Sequence, residues 1–587
     1  MKKYIMKKYI IICFAALAAI SCKMDYFPND AVSSKSMATP ENAASATIGN
    51  YSLFKSWINF SGFNTVGNTY IRHYQQLAEL KGDNVLMSGK TTDPLFNDAT
   101  MVDVSSDTNI DYFWFISYKI NFATSVVINS IPEDTQDVKL LHIKGENLFM
   151  RALSHMNLIQ IFATPYSWDP GAIGVVIRTN SEDPVVRSTV GEVYNQVERD
   201  LLDAIQCMDV KDVSGNEPLL GKDNGYIRKA AAQGLLARLY LYEERWQDCI
   251  DVIDGMLGGA SPDSMLDPDY SNLFQFSRQS PEVLWCVAVE DAPSDYPGAQ
   301  GMMGSMWYSS GDPGDGTGWA ELYWSQPLMD LFNRYPADKR YLTQHVARHA
   351  STTGKKMVYW PVLHEDGYAE NYIDRTPTYD AVSGKYTCKD ATGAAHVVET
   401  EIVNTYPRTY IMLDGQKQYV SVCDSMGCRT GTGGDMYPLN YMKKYSCQGG
   451  VENNMGSPAY VRWGELILDR AEAYAHLDDV SHALADVNVI RHRAGLTGAA
   501  DFTSGNMAER GYSNVLDVVL DERRMELCFE GFRPYDLRRN KKEVDRRYAG
   551  RHPYRTYAYN DTRFVYYLPD SEVTASGLPQ NIRTDFD

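Results

Sequence analysis

The chain has 587 residues, too many for one small core, and its 44% hydrophobic content is ordinary for a globular protein. A formal charge of −19 argues against nucleic acid as a partner, because phosphate recognition needs clustered Lys and Arg. It also favours a neutral over an anionic polysaccharide, a local basic patch aside.

The chain opens with Lys2, Lys3, Lys7 and Lys8, then a short apolar run, IICFAALAAI, then Ser21 and Cys22. A charged start, an apolar stretch and small residues before a cut describe a secretory signal over 1–21. The run is too short to span a bilayer. The duplicated MKKYI points to Met6 as an alternative start. A cysteine directly after small residues resembles a bacterial lipobox, with Ala19 where leucine is usual. Cys22 is therefore expected to carry lipid and anchor the mature chain; plain secretion with cleavage nearby is the alternative. Losing the four lysines takes the formal charge from −19 to −23. Residues 22–39 form a polar spacer containing Pro28.

Helical periodicity begins at 40–58, where Pro40 and Glu41 suit a first turn. It continues over 110–131, with Tyr112, Phe115, Tyr118, Phe122 and Val126 on one stripe, and over 134–162. Thr189 is a plausible N-cap for 189–208, whose apolar positions are Val193, Val197, Leu201 and Ile205. Residues 226–257 read as two helices broken at 243–245, with small Ala231 and Gly234 beside Leu235 and Leu239. Residues 459–493 repeat this plan. Small residues let paired helices approach closely, the logic of tetratricopeptide-type repeats, although the strict consensus is absent. The expected fold is mainly α. Tetratricopeptide-like pairs occupy 40–257, a loop-rich insertion with short strands spans 258–458, and a C-terminal helical pair with a signature segment fills 459–587.

Ten cysteines are present. Cys13 leaves with the signal and Cys22 takes lipid. Cys207, Cys249 and Cys528 fall in helical patterns and read as core thiols, whereas Cys423 and Cys428 could pair. No CxxC pair and no HExxH supports a metal site, and no metal or other cofactor is expected. Asp312 and Asp315 in DPGDGTG lack EF-hand spacing, leaving Ca²⁺ a weak reading. GTGGDMYP (431–438) lacks the Lys-Ser/Thr of a phosphate loop, and no GxSxG elbow occurs.

Residues 520–540, LDERRMELCFEGFRPYDLRRN, mix arginines and carboxylates on an apolar frame. On a helix over 515–532, Val518, Met525, Phe529 and Phe532 share a face that Glu522 interrupts, and Pro534 ends the helix. Half-buried among leucine and phenylalanine, Arg and Glu must pair, so the segment reads as a structural latch. The alternative is a carboxylate pair for glycoside hydrolysis, with Glu522 and Glu526 as the acids.

From Glu522 onward this segment resembles the C-terminal signature of the SusD/RagB family of outer-membrane nutrient-binding lipoproteins. SCKMDYFP (21–28), KGENLFMRALSHMNLIQIFA (144–163), YVRWGELILDRAEAYAHL with ALADVNVIRHRAGL (460–496) and FVYYLPDSEVTASGLPQN (564–581) resemble other family segments in the same order. The resemblance implies a non-catalytic, lipid-anchored protein on the outer membrane, facing the cell exterior, that passes a glycan to a SusC-like TonB-dependent transporter. A peptide-binding member and a surface glycoside hydrolase are the alternatives. Sugar rings stack on aromatic planes while hydroxyls seek polar groups, which makes Trp307, Tyr308, Trp319 and Trp324 on Gly-rich turns the candidate aromatic contacts. Arg72, Asp83 and Asn84 are the candidate polar ones, though Asp83 and Asn84 also suit a simple turn.

Overall fold

The computed structural model describes residues 37–58, 60, 67–87, 93–290, 301–308, 318–347, 355–431 and 434–583. Cys22, Asp312 and Asp315 lie outside them. The expected helices form where capping chemistry and apolar spacing coincide. Thr39 caps α1 (Pro40–Ser52), and Thr69 caps α2 (Tyr70–Leu80). Asp107 and Asp137 cap the two long helices α3 (Thr108–Ser130) and α4 (Val138–Phe162). Thr189 and Glu192 close a reciprocal capping box on α5 (Val190–Met208). Then follow α6 (Lys229–Tyr242) and α7 (Trp246–Leu257), with a break over 243–245 between them.

Consecutive helices pack pairwise, α3 on α4, α4 on α5, α5 on α6 and α6 on α7. Their apolar faces merge into one large core that extends to the C-terminal helices. The stripe expected to bury α3 is corrected. Tyr112 is buried, but Phe122 is 53% exposed and Val126 faces solvent, while Phe113, Ile116 and Ile120 turn inward. The 13 apolar or aromatic residues among the 23 of α3 fall on more than one face, and small polar residues such as Ser117, Asn121 and Thr124 are buried with them, so spacing alone did not single out the buried face.

Among its described residues the insertion carries strands and loops in about equal measure. β1 (Val85–Met87) is joined from the N-terminal region to β3 (Leu322–Trp324) of the insertion, and β2 (Val283–Cys286) to β9 (Ala459–Arg462). β4 (His345–Ala347) pairs with β8 (Asn440–Met442). The largest sheet places β7 (Ser421–Asp424), β5 (Lys356–Leu363), β6 (Tyr368–Asp374) and β10 (Gly550–Pro553) side by side. Two three-stranded sheets lie within 378–419. Cys423 and Cys428 are both free thiols, so they do not pair across their turn.

At the C-terminal end, β9 leads into α9 (Trp463–His476), which pairs with α10 (Val480–Arg493) and packs on α6, α7 and α11 (Val515–Leu527). Gly234 of α6 meets β9 so closely that a Cβ would stand 2.6 Å from Val461 Cγ1, which is why a small residue sits there. The signature does not run as one helix to Phe532. α11 stops at Leu527, Phe529 adopts φ 62° and Gly531 φ 84°, and Pro534 then starts α12 (Arg533–Arg539). A proline fits the first turn of a helix, where its missing N–H is no loss.

A candidate ligand face around Trp319

Most of the signature arginines and carboxylates are sealed inside and paired, chiefly with residues from elsewhere in the chain. Glu526 meets Arg462 at 2.7 Å, Arg493 at 2.6 Å and Arg340 at 3.2 Å. Glu522 meets Arg340 at 2.7 Å and Arg491 at 3.0 Å, and Glu530 meets Lys444 at 2.7 Å and Arg462 at 2.9 Å. Arg523 joins Asp469 and Asp536, and Arg539 joins Glu472 and Asp536. Burial pushes the Glu526 carboxyl up, but Arg493, Arg462 and Arg340 outweigh it and hold the group well below the usual carboxylate range. Glu522 and Glu526 have no open face from which to reach a glycosidic bond, which removes the geometry that the hydrolase reading needs.

The same latch consumes the predicted polar contacts. Asp83 is buried, its oxygens 2.9 and 3.1 Å from Arg533, with Arg524 at 3.4 Å. Burial raises its carboxyl, yet the two arginines bring it down to about 2. Buried Asn84 donates to Glu79 at 2.8 Å and accepts from Arg524 Nε at 2.8 Å. Arg72 is buried against Asp93 at 3.0 Å and the Gly67 carbonyl at 3.2 Å. A buried charge must find a counter-charge: Asp83 and Asn84 meet the latch across 440 to 450 positions of chain, whereas Arg72 finds Asp93 only 21 positions away. They are corrected from ligand contacts to structural ones.

Three of the four predicted rings are corrected likewise. Trp307 packs edge-on to Phe529 with centroids 4.8 Å apart, and Trp324 contacts Phe529, Phe332, Tyr341 and His345. The left-handed backbone at Phe529 delivers its ring between the two indoles. Displaying either indole to solvent would forfeit about 4–6 kcal/mol of burial. Tyr308 is buried, with its hydroxyl 3.0 Å from Glu452.

Trp319 alone of the four remains at the surface, 44% exposed. Its backbone is fixed. Trp319 N and Ala320 N both donate to the Ser305 carbonyl, at 2.6 and 3.1 Å. Gly318 passes so near the Tyr308 carbonyl that a Cβ would sit 2.2 Å from it. Ala320, next in the chain, belongs to a satellite core with Tyr308, Tyr323, Tyr437, Tyr441 and Leu86. Glu321 pairs with Arg429 at 3.6 Å, and Glu452, which bonds the Tyr308 hydroxyl, pairs with Lys443. The segment thus presents one exposed indole on a fixed backbone, with charged groups close by in the chain and the core. The sequence reading missed Arg429, Lys443 and Glu452 because they lie more than 100 residues from Trp319. Glu321 stands two residues after Trp319 but carried no local signal.

A family model described as "SusD family" matches residues 281–578, and one described as "Starch-binding associating with outer membrane" matches 64–241. The chain belongs to the SusD/RagB family. A SusD-like protein of Formosa agariphila is 22% identical over 453 residues, covering 76% of this chain and 74% of its own. A SusD superfamily structure from Bacteroides thetaiotaomicron superposes with TM-score 0.65 at 22% identity, spanning 93% of this chain and all of that one. A surface glycan-binding protein A from Bacteroides uniformis gives TM-score 0.58 at 17% identity over 92% of this SusD-family chain and 99% of its own. These neighbours establish that the fold is shared. Among the described residues no helix is long and apolar enough to cross a membrane, and no group of three or more His, Cys, Asp or Glu is placed to hold a metal ion.

Proposed function

We propose that this SusD-family protein captures an oligo- or polysaccharide at the outer surface of the outer membrane and delivers it to a SusC-like TonB-dependent transporter. It holds its ligand without cutting a bond, and lipid on Cys22 tethers it. The paired helices form the tetratricopeptide-like scaffold that braces the ligand face. The observation that carries this reading is the solvent-facing indole of Trp319, on a backbone fixed by the Ser305 carbonyl and next in the chain to a tyrosine-rich satellite core. The outward apolar positions Phe122 and Val126 of α3 give the helical side a surface suited to packing on a barrel.

The magnitude suits transfer. A sugar ring that buries ~60 Å² of apolar surface on Trp319 gains about 1.5 kcal/mol. A few such contacts, less the cost of association, hold a ligand weakly enough to hand it onward. Calorimetric titration of the full chain against a panel of neutral glycans is the test. At least one should bind, with Trp319→Ala weakening it about tenfold. Reducing ends that accumulate with time would replace capture by hydrolysis, and unchanged affinity in W319A would move the ligand elsewhere.

A further inference from the structure

Helix α1 is held to the body by few apolar side chains. Of its 13 residues only Ala43, Thr47 and Asn50 are buried, and it enters the small core it shares with α3 and α4 through Ala43, Ala44 and Ala46. Such short side chains remove little apolar surface from water. A column of polar contacts along α4 does the rest. Asn147 donates to Thr47 Oγ1 and accepts from Asn50 Nδ2, both at 2.8 Å, and Glu146 Oε2 accepts from the Tyr51 hydroxyl at 2.9 Å. That hydroxyl accepts in turn from the Ile227 N–H at 2.9 Å. The chain beyond the helix is anchored separately. Phe54 is fully buried, its ring 4.9 Å from that of Tyr70 and 5.6 Å from that of Trp285. Leu53 therefore stands between a lightly held helix and a fixed point.

The carboxyl under this helix lacks the arginines that the latch supplies. Glu146 is sealed, and among the described residues no Lys or Arg lies within ion-pair distance of it. Its Oε1 has no hydrogen-bond partner and stands 3.3 Å from Nε2 of His142, one turn earlier. His142 is sealed as well, with Nε2 3.3 Å from the Ile227 carbonyl and Nδ1 without a partner. An ionised carboxylate in this place would be costly, so the pair keeps a proton at neutral pH. Burial pushes the Glu146 carboxyl up to about 8 against the pull of the Tyr51 hydrogen bond, and burial lowers His142. The other titratable groups facing the pair are Tyr51 and Tyr226, whose rings lie 5.8 Å apart, and, on the His142 side, Lys211, Glu217 and Arg228.

We propose that α1 is a pH-gated strap, docked while Glu146 and His142 hold one proton between them and lifting about Leu53 when that proton leaves. Its loss puts an unpaired carboxylate beneath Tyr51, and lifting α1 lets water reach it. The window follows from both groups. Opened to water, Glu146 titrates near 4.5 and His142 near 6.5. Between about 4.5 and 6.5, opening releases a proton from Glu146 and takes one up on His142, so the two effects cancel. Between about 6.5 and 8 only the release remains, and docking weakens as pH rises. Above about 8 the docked form is ionised too and the dependence ends. The use of the strap rests on the proposed lipid tether at Cys22: lifting adds the 13 residues of α1, about 20 Å as a helix, to the reach of the spacer.

Hydrogen–deuterium exchange on the full chain, read for peptides within 40–53 and corrected for intrinsic exchange, is the test. Opening of α1 should rise about tenfold between pH 6.5 and 8 and level off above that, while peptides of α9 stay constant. Glu146→Gln keeps the shape of the side chain and an acceptor for Tyr51 but cannot ionise, so its opening should be flat across the window. Tyr51→Phe removes the donor and should raise opening about fivefold at pH 6.5. A flat profile in the wild type, a rise that persists in Glu146→Gln, an equal rise in α9, or unchanged opening in Tyr51→Phe would each overturn the strap. None of these readouts involves glycan or lipid, so a failure of glycan capture or of the tether leaves them standing.

Discussion

The latch and Arg538 beside it use the same residue type to opposite ends. Around Glu526, three arginines meet one carboxylate, and each has at least one further acidic partner. Arg538 is 1% exposed, yet among the described residues no carboxylate lies within ion-pair distance, and its guanidinium stands 4.9 Å from the ring of Trp168 and 5.2 Å from that of Phe564. Both regions lie in one short stretch of chain, so composition does not separate them. The contrast teaches that a buried cation is held by anions where the fold brings them and by aromatic faces where it does not.

Four measurements break or sharpen that contrast. The largest effect is expected from Glu526→Ala, which strands three buried arginines and should cost about 3–5 kcal/mol in denaturant unfolding. Next come the neighbouring arginines. Arg539→Met leaves Glu472 and Asp536 short of a counter-charge and should also cost about 3–5 kcal/mol. Arg538→Met removes a charge with no counter-ion and loses only ring contacts, so stability should shift by no more than about 1–2 kcal/mol. Equal losses at the two positions would end the distinction.

The third measurement is acid unfolding. Asp83 is depressed to about 2, so its contribution is complete above the ordinary aspartate range and is lost as pH falls toward 2. Buried His73 and His155, lowered mainly by desolvation to about 4 and about 3, act in the same direction: below about 6.5 the unfolded chain takes up protons that the folded chain refuses. Between about 8 and 4.5 this is opposed by Glu79, Glu146 and Glu243, whose carboxyls burial raises to about 7, 8 and 7, so the fall in stability should dominate only below about 4.5, and Asp83→Asn should flatten the portion between about 4 and 2, a comparison that circular dichroism reads. The smallest change in stability is expected at Trp319→Ala, within about 0.5 kcal/mol, because that ring is largely outside the core.

Much of the helical frame was legible beforehand. Pro40 and Glu41 in the first turn of α1, the Thr189 cap, the apolar spacing of α5 and the break between α6 and α7 are local signals that the structure repeats. The latch was legible as chemistry, since arginines and glutamates half-buried among leucine and phenylalanine call for one another as partners. Its partners were not. Asp83 and Asn84 looked like turn residues because their demand comes from Arg524 and Arg533, more than 400 positions away. Trp307 and Trp324 looked displayed because glycine-rich flanks imply exposure, and nothing local foretells that Phe529 fills the space between them.

The sequence by itself determined the family, the order of helices and the need for internal charge pairing, because caps, periodicity and desolvation act through near neighbours or through residue chemistry alone. Tertiary structure decided which aromatic ring remains at the surface and which arginine lacks an anion. Those outcomes depend on the distances between distant segments, and the same tryptophan is core or surface, the same arginine paired or unpaired, according to what the fold sets across from it.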